Sequence, residues 1–383
     1  MAIKPKLPAT RDDAVITDDT RIRAALPTIQ ALTGQGAKVI LVSHLGRPDG
    51  QVVEGLRMDV VAARLRELLG RPVAKVDDCV GPAVEAAIAA MQPGDVLMLE
   101  NVRFHAEEEA KDDAVRLPFA QQLAALADVY VNDAFGTAHR DHASTASVAR
   151  FLRPAVAGLL LAKEIETMGG ALDDPARPFV AILGGAKVKD KLKLIANLVG
   201  KVDALLVGGG MIFTFYAAMG YDVGRSLLDP ERLEDVKNIL ASAERSATKL
   251  VLPVDVVIAK EPADGAETRV VTPADIPPDY MGLDIGPKTV ALFTSYLKDA
   301  KLIFWNGPLG LFEIPAFAGG TLGIADALAR ADAFTIIGGG DVVAAVNQMG
   351  YAEQMGFIST GGGASIEFME GKPLPGVVAL DDK

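Results

Sequence analysis

Two lysines four residues apart, Lys187 and Lys191, follow the glycine pair Gly184-Gly185 at the end of an apolar run that begins at Val180. A strand that meets a glycine turn and then a helix aims backbone N–H groups at an anion. On that expected helix the two lysines share one face of the first turn, where the macrodipole disfavours a cation. A bound polyanion would offset that cost. On this stretch alone, two solvated lysines on an ordinary helix remain an equal reading.

Arginine and histidine collect at other strand ends. The runs 38–43, 95–100 and 127–131 read as buried strands, and they lead into His44-Leu-Gly-Arg47, Asn101-Val-Arg103 and a loop ending in His139-Arg140. Ligands of parallel α/β sheets gather at the carboxyl ends of the strands, and these residue types grip carboxylates and phosphates. Further along, apolar runs lead into Gly208-Gly-Gly210, Gly338-Gly-Gly340 and Gly361-Gly-Gly363. Glycine lets a backbone approach a ligand and a following helix start supplies donors, which suits a polyphosphate. Tight strand-to-helix turns would need the same glycines. None of these clusters has Walker A or full dinucleotide spacing. Asp341 follows the third cluster directly and could hold Mg²⁺ on phosphates or merely cap a helix. Glu313 could accept from ribose hydroxyls.

No Ser/His/Asp or Cys/His arrangement stands out, and the four histidines are not spaced as a metal site. One half lined with arginine and histidine, joined to another lined with glycine, suggests a small anion facing a nucleotide, and phosphoryl transfer, which depends on positioning and charge neutralisation and needs no activated nucleophile, is the natural reaction.

The elements that must place these groups alternate. Helical stretches at 21–32, 58–69 and 117–126 separate the first strands, as in an α/β domain. A connecting helix is expected over Leu152–Gly170, with Gly169-Gly170 as its stop. Half of the 383 residues are hydrophobic, enough for two cores. A net charge of −12 argues against nucleic acid and anionic membranes. Residues 204–221 carry no charge, but Gly208–Gly210 break them into strand, turn and buried helix rather than a membrane span. The single cysteine, Cys79, excludes a disulfide framework and fits a reducing cytosol, and residues 1–8 lack the apolar core of a secretory signal. A cytoplasmic protein is expected.

Asp18-Asp-Thr-Arg-Ile-Arg23, Ser43-His-Leu-Gly-Arg-Pro48, Glu100-Asn-Val-Arg-Phe104, Asp133-Ala-Phe-Gly-Thr-Ala-His-Arg140, Gly184-Gly-Ala-Lys-Val188, Trp305-Asn-Gly-Pro308, Gly338-Gly-Gly-Asp341 and Ser359-Thr-Gly-Gly-Gly-Ala-Ser365 resemble the signature segments of phosphoglycerate kinase. The resemblance runs from about Thr17 to the C-terminus. It implies an α/β fold of two doubly wound parallel-sheet lobes joined by a hinge helix: a sugar-acid-binding lobe at 1–151, rejoined by 371–383, a hinge helix at 152–170 and a nucleotide-binding lobe at 171–370. It also implies reversible transfer between 1,3-bisphosphoglycerate and MgADP, giving 3-phosphoglycerate and MgATP, in a cytoplasmic monomer that closes about its hinge and has no nucleic-acid or membrane partner.

In that family, the positions that match the sugar-acid contacts are Arg21, His44, Arg47, Arg103 and Arg140. Arg21, Lys187, Lys191, Gly361 and Gly362 match groups that act on the transferring phosphate. Gly185, Lys191, Gly209, Gly210, Pro308, Glu313, Gly339, Gly340, Asp341 and Val342 match the nucleotide site, with Asp341 holding Mg²⁺. Two departures stand out. No strand with an Asp-x-Asn pair is visible over residues 1–16, and Val342 stands where the family usually has threonine. The absence of that first strand makes a nucleotide-binding relative with impaired or lost turnover a second reading. A nicotinamide-dependent oxidoreductase, lacking the dinucleotide fingerprint, is a third.

Overall fold

A computed structural model describes Val15, Ile16 and residues 18–382. The chain divides into two compact units, Met1–Ile165 with Pro373–Lys383, and Glu166–Lys372. The expectation that residues 1–16 hold no strand with an Asp-x-Asn pair falls on residues 1–14, which lie outside the described residues.

The first unit runs α1 (Thr20–Gly34), β1 (Val39–Ser43), α2 (Asp59–Leu69), β2 (Ala74–Lys75), α3 (Pro82–Ala90), β3 (Val96–Asn101), α4 (Asp113–Ala124), β4 (Tyr130–Asn132), β5 (Ala155–Ala157) and the start of α5 (Leu159–Asp173). β3 lies between β1 and β2 and is parallel to both, while β4 pairs in parallel with β5. All of β3 is buried. Its side chains alternate with the pleat: Val96 and Met98 pack with Ile22, Ile29, Val61 and Leu65, whereas Leu97 and Leu99 pack with Val84, Phe119 and Leu123. Two apolar faces are why such a strand reads as an unbroken apolar run. Each aliphatic side chain buried there stabilises the fold by ~1.5–3 kcal/mol.

The connecting helix begins later than expected and does not stop at its glycines. Residues 155–157 are taken by β5, so α5 starts at Leu159. Its first N–H groups are met from outside: Leu159 donates to Thr28 Oγ1 at 3.0 Å and Leu160 to Asp133 Oδ1 at 2.9 Å. Such acceptors fix a helix start. Gly169 and Gly170 lie inside the helix, a placement that costs roughly 1 kcal/mol each relative to alanine and that packing overrides.

The second unit runs β6 (Phe179–Leu183), α6 (Leu192–Leu198), β7 (Ala204–Val207), α7 (Ile212–Ala218), α8 (Leu233–Glu244), β8 (Lys249–Val251), β9 (Val256–Ala259), β10 (Arg269–Val271), β11 (Met281–Ile285), α9 (Pro287–Leu297), β12 (Leu302–Asn306), α10 (Gly319–Ala329), β13 (Phe334–Gly338), α11 (Gly340–Gln348), β14 (Phe357–Ile358) and α12 (Gly363–Met369). Six strands form one parallel sheet in the order β14-β13-β12-β6-β7-β8. Strand order reverses between β6 and β12, and ligands of open α/β sheets bind outside such a switch point. One face buries Ile182, Leu206, Ile303, Trp305 and Ile337 against Phe293, Leu297, Ile324, Leu328 and Val346. A small antiparallel sheet, β10-β9-β11, was not expected from the sequence. No helix among the described residues is long and apolar enough to cross a membrane.

Candidate active site

In the first unit, Arg21 stands in the first turn of α1, His44 and Arg47 follow β1, Arg103 follows β3 and Arg140 follows β4. Arg103 lies within electrostatic reach of His44, Arg47 and Arg140, and Arg21 within reach of His44. Burial pushes the His44 imidazole down to about 2, with the charges of Arg103, His142 and Arg21 adding to it. Burial also lowers the Arg103 guanidinium, and Arg140 and Arg47 lower it further. His142 is pushed down to about 4 by burial and by Arg103, Arg140 and His139. Cations crowded together in this way lose mutual repulsion when they bind an anion.

Buried asparagines place the loops. Asn101, the last residue of β3, accepts from the Arg103 N–H at 3.1 Å and donates to the carbonyls of Leu45 and Leu56 at 2.7 and 2.9 Å. Arg103 in turn donates from Nη1 to the Gly46 carbonyl at 3.0 Å, while its own carbonyl accepts from Gly50 at 3.2 Å. The Arg47 loop and Arg103 are thus tied by side chain and backbone. Asn132, closing β4, accepts from Ala134 N at 3.0 Å and donates to the Gly376 carbonyl at 2.9 Å. The Gly376 N–H returns a bond to Ala138, two residues before Arg140, at 2.8 Å.

In the second unit the loops after β6, β7 and β12 interlock at the switch point. Gly184 N donates to Asn306 O at 2.8 Å, Gly185 N to Pro308 O at 2.9 Å, and Gly209 N to Leu309 O at 3.1 Å. A Cβ on Gly184 would lie 2.1 Å from Pro308 O, and one on Gly209 2.5 Å from Gly185 N. These glycines let backbone approach backbone, and the N–H groups of Gly185 and Gly209 are engaged within the protein. Gly210 and half-exposed Pro308 stand beside them, and Leu227, 57% exposed, reaches over Gly210 with Cδ1 2.8 Å from where a Cβ would sit.

The lysines do not occupy one helix face. Lys187 is extended and precedes a 3₁₀ turn at Val188–Asp190, and α6 begins only at Leu192. The turn closes with Lys191 N on Val188 O at 2.9 Å, so the tighter 3₁₀ winding replaces the expected i,i+4 spacing. Lys187 is exposed at the surface, whereas Lys191 is 8% exposed and donates from Nζ to Asn306 Oδ1. Burial pulls the Lys191 ammonium down to about 8, against the charges of Asp190, Asp341 and Glu370.

Asn306 was not singled out from the sequence. It is fully buried at the end of β12, takes the Lys191 bond and donates to the Gly338 carbonyl. One side chain therefore couples the lysine to the glycine loop after β13. Gly339, at φ +105°, leads into α11, and a Cβ on Gly340 would meet nothing within 4 Å. Asp341 is exposed in the first turn of α11. Val342 is wholly buried in the apolar core, so only its backbone could reach a nucleotide. Glu313 is exposed on the loop after β12. Before α12, the Gly361 N–H donates to Ser359 Oγ at 3.1 Å, and Gly362 takes φ +53°.

The sequence model of the family "Phosphoglycerate kinase" matches residues 7–372. A relative named phosphoglycerate kinase from Moorella thermoacetica is 57% identical over 368 residues, covering 96% of this chain and 92% of that protein. One from Pelotomaculum thermopropionicum is 56% identical over the same coverage. Among solved structures, phosphoglycerate kinase from Coxiella burnetii superposes with a TM-score of 0.85 at 40% identity, covering 97% of this chain and 93% of that one.

Proposed function

Because this chain belongs to the phosphoglycerate kinase family, and so moves a phosphoryl group between 1,3-bisphosphoglycerate and ADP, we propose that its first unit holds the sugar acid and its second unit the nucleotide. The observation that supports this division is the gathering of Arg21, His44, Arg47, Arg103 and Arg140 in one unit, while the lysines and glycine loops line the switch point of the other. A β-phosphate oxygen of ADP attacks the acyl phosphate, the bond to the carboxyl oxygen breaks, and the leaving carboxylate takes its electron pair. No proton has to be moved by a side chain. Lys187 and Lys191 meet the charge that gathers on the transferring group, with the N–H donor at Gly362 adding to them, while Arg21 serves the sugar acid in the first unit.

Mg²⁺ fits as a metal that arrives with the nucleotide. The described residues hold no group of three or more His, Cys, Asp or Glu that could ligate a metal, whereas one exposed carboxylate, Asp341, stands at the start of α11 with its charge felt by Lys191. A single carboxylate plus phosphate oxygens and waters is the donor set Mg²⁺ prefers, and the ion would neutralise phosphate charge. Gly210, Gly339, Gly340 and the Val342 backbone line the phosphates, with Glu313 at the ribose and Pro308 and Leu227 at the base. A cytoplasmic monomer completes the proposal.

Calorimetric titration of Arg140→Ala with each ligand separately tests the division. 3-Phosphoglycerate binding is expected to weaken by about 10- to 100-fold, as for a lost charge-assisted bond to a phosphate, with MgADP binding unchanged. Equal weakening of both ligands would refute it.

A further inference from the structure

Arg103 is held from a second side by a carboxylate. Its Nη2 lies 3.1 Å from Glu109 Oε1. Glu109 ends a 3₁₀ turn at Ala106–Glu109 whose neighbouring residue is firmly anchored: the Glu108 carboxylate accepts from Ser144 N at 2.9 Å and Ser144 Oγ at 2.6 Å, and its carbonyl accepts from Ala143 N at 3.0 Å. His142 stands between the two acids, with Nε2 3.7 Å from Glu109 and Nδ1 3.8 Å from Glu108. Glu108 is 2% exposed, while the Glu109 side chain keeps 35% of its surface.

A negative charge in a cluster meant for an anion repels the ligand, so its placement on an anchored turn needs a reason. Arg103 supplies one. Its side chain is 9% exposed and faces the repulsion of Arg47 and Arg140, against which Glu109 is the strongest opposing charge. A guanidinium is a planar fork, and contacts at both Nη1 and Nη2 define its plane. Gly46 and Glu109 provide those two contacts, leaving the other N–H groups aimed by the protein.

We infer that Glu109 is a positioning residue of the sugar-acid site, one that sets the plane of Arg103 and offsets the repulsion around it before the ligand arrives. This rests on the assignment of Arg103 to the sugar acid. Holding the fork in its bound plane beforehand cuts the ordering cost of binding.

Calorimetry with 3-phosphoglycerate and with MgADP, together with steady-state kinetics, on Glu109→Ala, Glu109→Gln, Arg103→Ala and the Arg103→Ala/Glu109→Ala double variant tests it. Glu109→Ala should weaken 3-phosphoglycerate roughly tenfold, in Kd and KM alike, and leave the nucleotide constants within about twofold. Glu109→Gln keeps an oxygen for the Nη2 bond and should recover most of that loss, which a turn that had simply come apart would not allow. In the Arg103→Ala background the Glu109 change should add nothing. Unchanged or tighter sugar-acid binding in Glu109→Ala, no recovery with Gln, or a full tenfold loss persisting without Arg103 would each overturn the inference. Normal 3-phosphoglycerate binding by Arg103→Ala would instead overturn the assignment of the site itself.

Discussion

Replacing Lys191 by methionine keeps the length of the side chain and removes a buried charge. The ammonium, 8% exposed, has fallen from its ordinary 10.5 to about 8, which at 1.36 kcal/mol per pKa unit corresponds to about 3 kcal/mol of disfavoured charge in the folded state. Methionine relieves that, but leaves Asn306 Oδ1 without its donor, a loss of ~1–3 kcal/mol. Lys191→Met is therefore expected to be as stable as the parent, or up to about 2 kcal/mol more stable, at pH 7, while MgADP binding and kcat fall. The pH dependence carries a definite sign. Below pH 8 the lysine is charged in both states and the folded chain bears the whole cost. Between 8 and 10.5 the folded chain has released the proton and the unfolded chain has not, so the parent gains stability as pH rises and the advantage of the variant shrinks. Urea denaturation of both proteins at pH 7 and pH 9.5, paired with calorimetry of MgADP, measures this. A variant destabilised by more than 2 kcal/mol at pH 7, with a gap that does not change with pH, would show that the buried lysine is not under electrostatic strain.

Lys187→Ala should lower kcat by about 10²–10³ with little change in nucleotide Kd, since its charge is wanted where the transition state gathers charge; stopped-flow rates and calorimetry decide, and an unchanged kcat refutes the role. Because Lys187 is exposed, its melting temperature should hardly move. Gly209→Ala puts a Cβ 2.5 Å from Gly185 N at φ +70° and should cost ~2–5 kcal/mol in urea denaturation, whereas Gly340→Ala, with open space around it, should shift stability by less than ~1 kcal/mol.

Much of this arrangement could be read from pattern. The apolar runs ending in Arg47, Arg103 and Arg140, and those ending in glycine, are strands whose carboxyl ends carry the loops; β3 is buried on both faces as its unbroken apolar run implies, whereas β1 and β4 are only partly buried. The glycines were legible as places of close approach but not as to what approaches: at Gly184 and Gly209 it is neighbouring backbone, a long-range fact invisible in local sequence. The lysine spacing misled because 3₁₀ and α winding share the same residues and differ only in which carbonyl is met. Val342 looked like a lost hydroxyl at a ligand, yet its side chain points into the core. The signal that went unused was the asparagine closing an apolar strand. Asn101, Asn132 and Asn306 all do so: the first two tie the loop that follows to a distant segment, and Asn306 ties Lys191 to the glycine loop after β13.

The contact of Gly376 with Asn132 and Ala138 also has a bearing on the order in which the protein is made. The first unit is interrupted by Glu166–Lys372 and resumes at Pro373, so the residues that brace the Arg140 loop leave the ribosome only after the entire second unit has been synthesised. At about 5–20 residues per second that is a wait of roughly 10–40 s. Throughout it, the Asn132 amide and the Ala138 carbonyl are without their Gly376 partners, and by its end the whole sequence of the second unit has been made. The half of the enzyme that begins first is thus the half that is finished last.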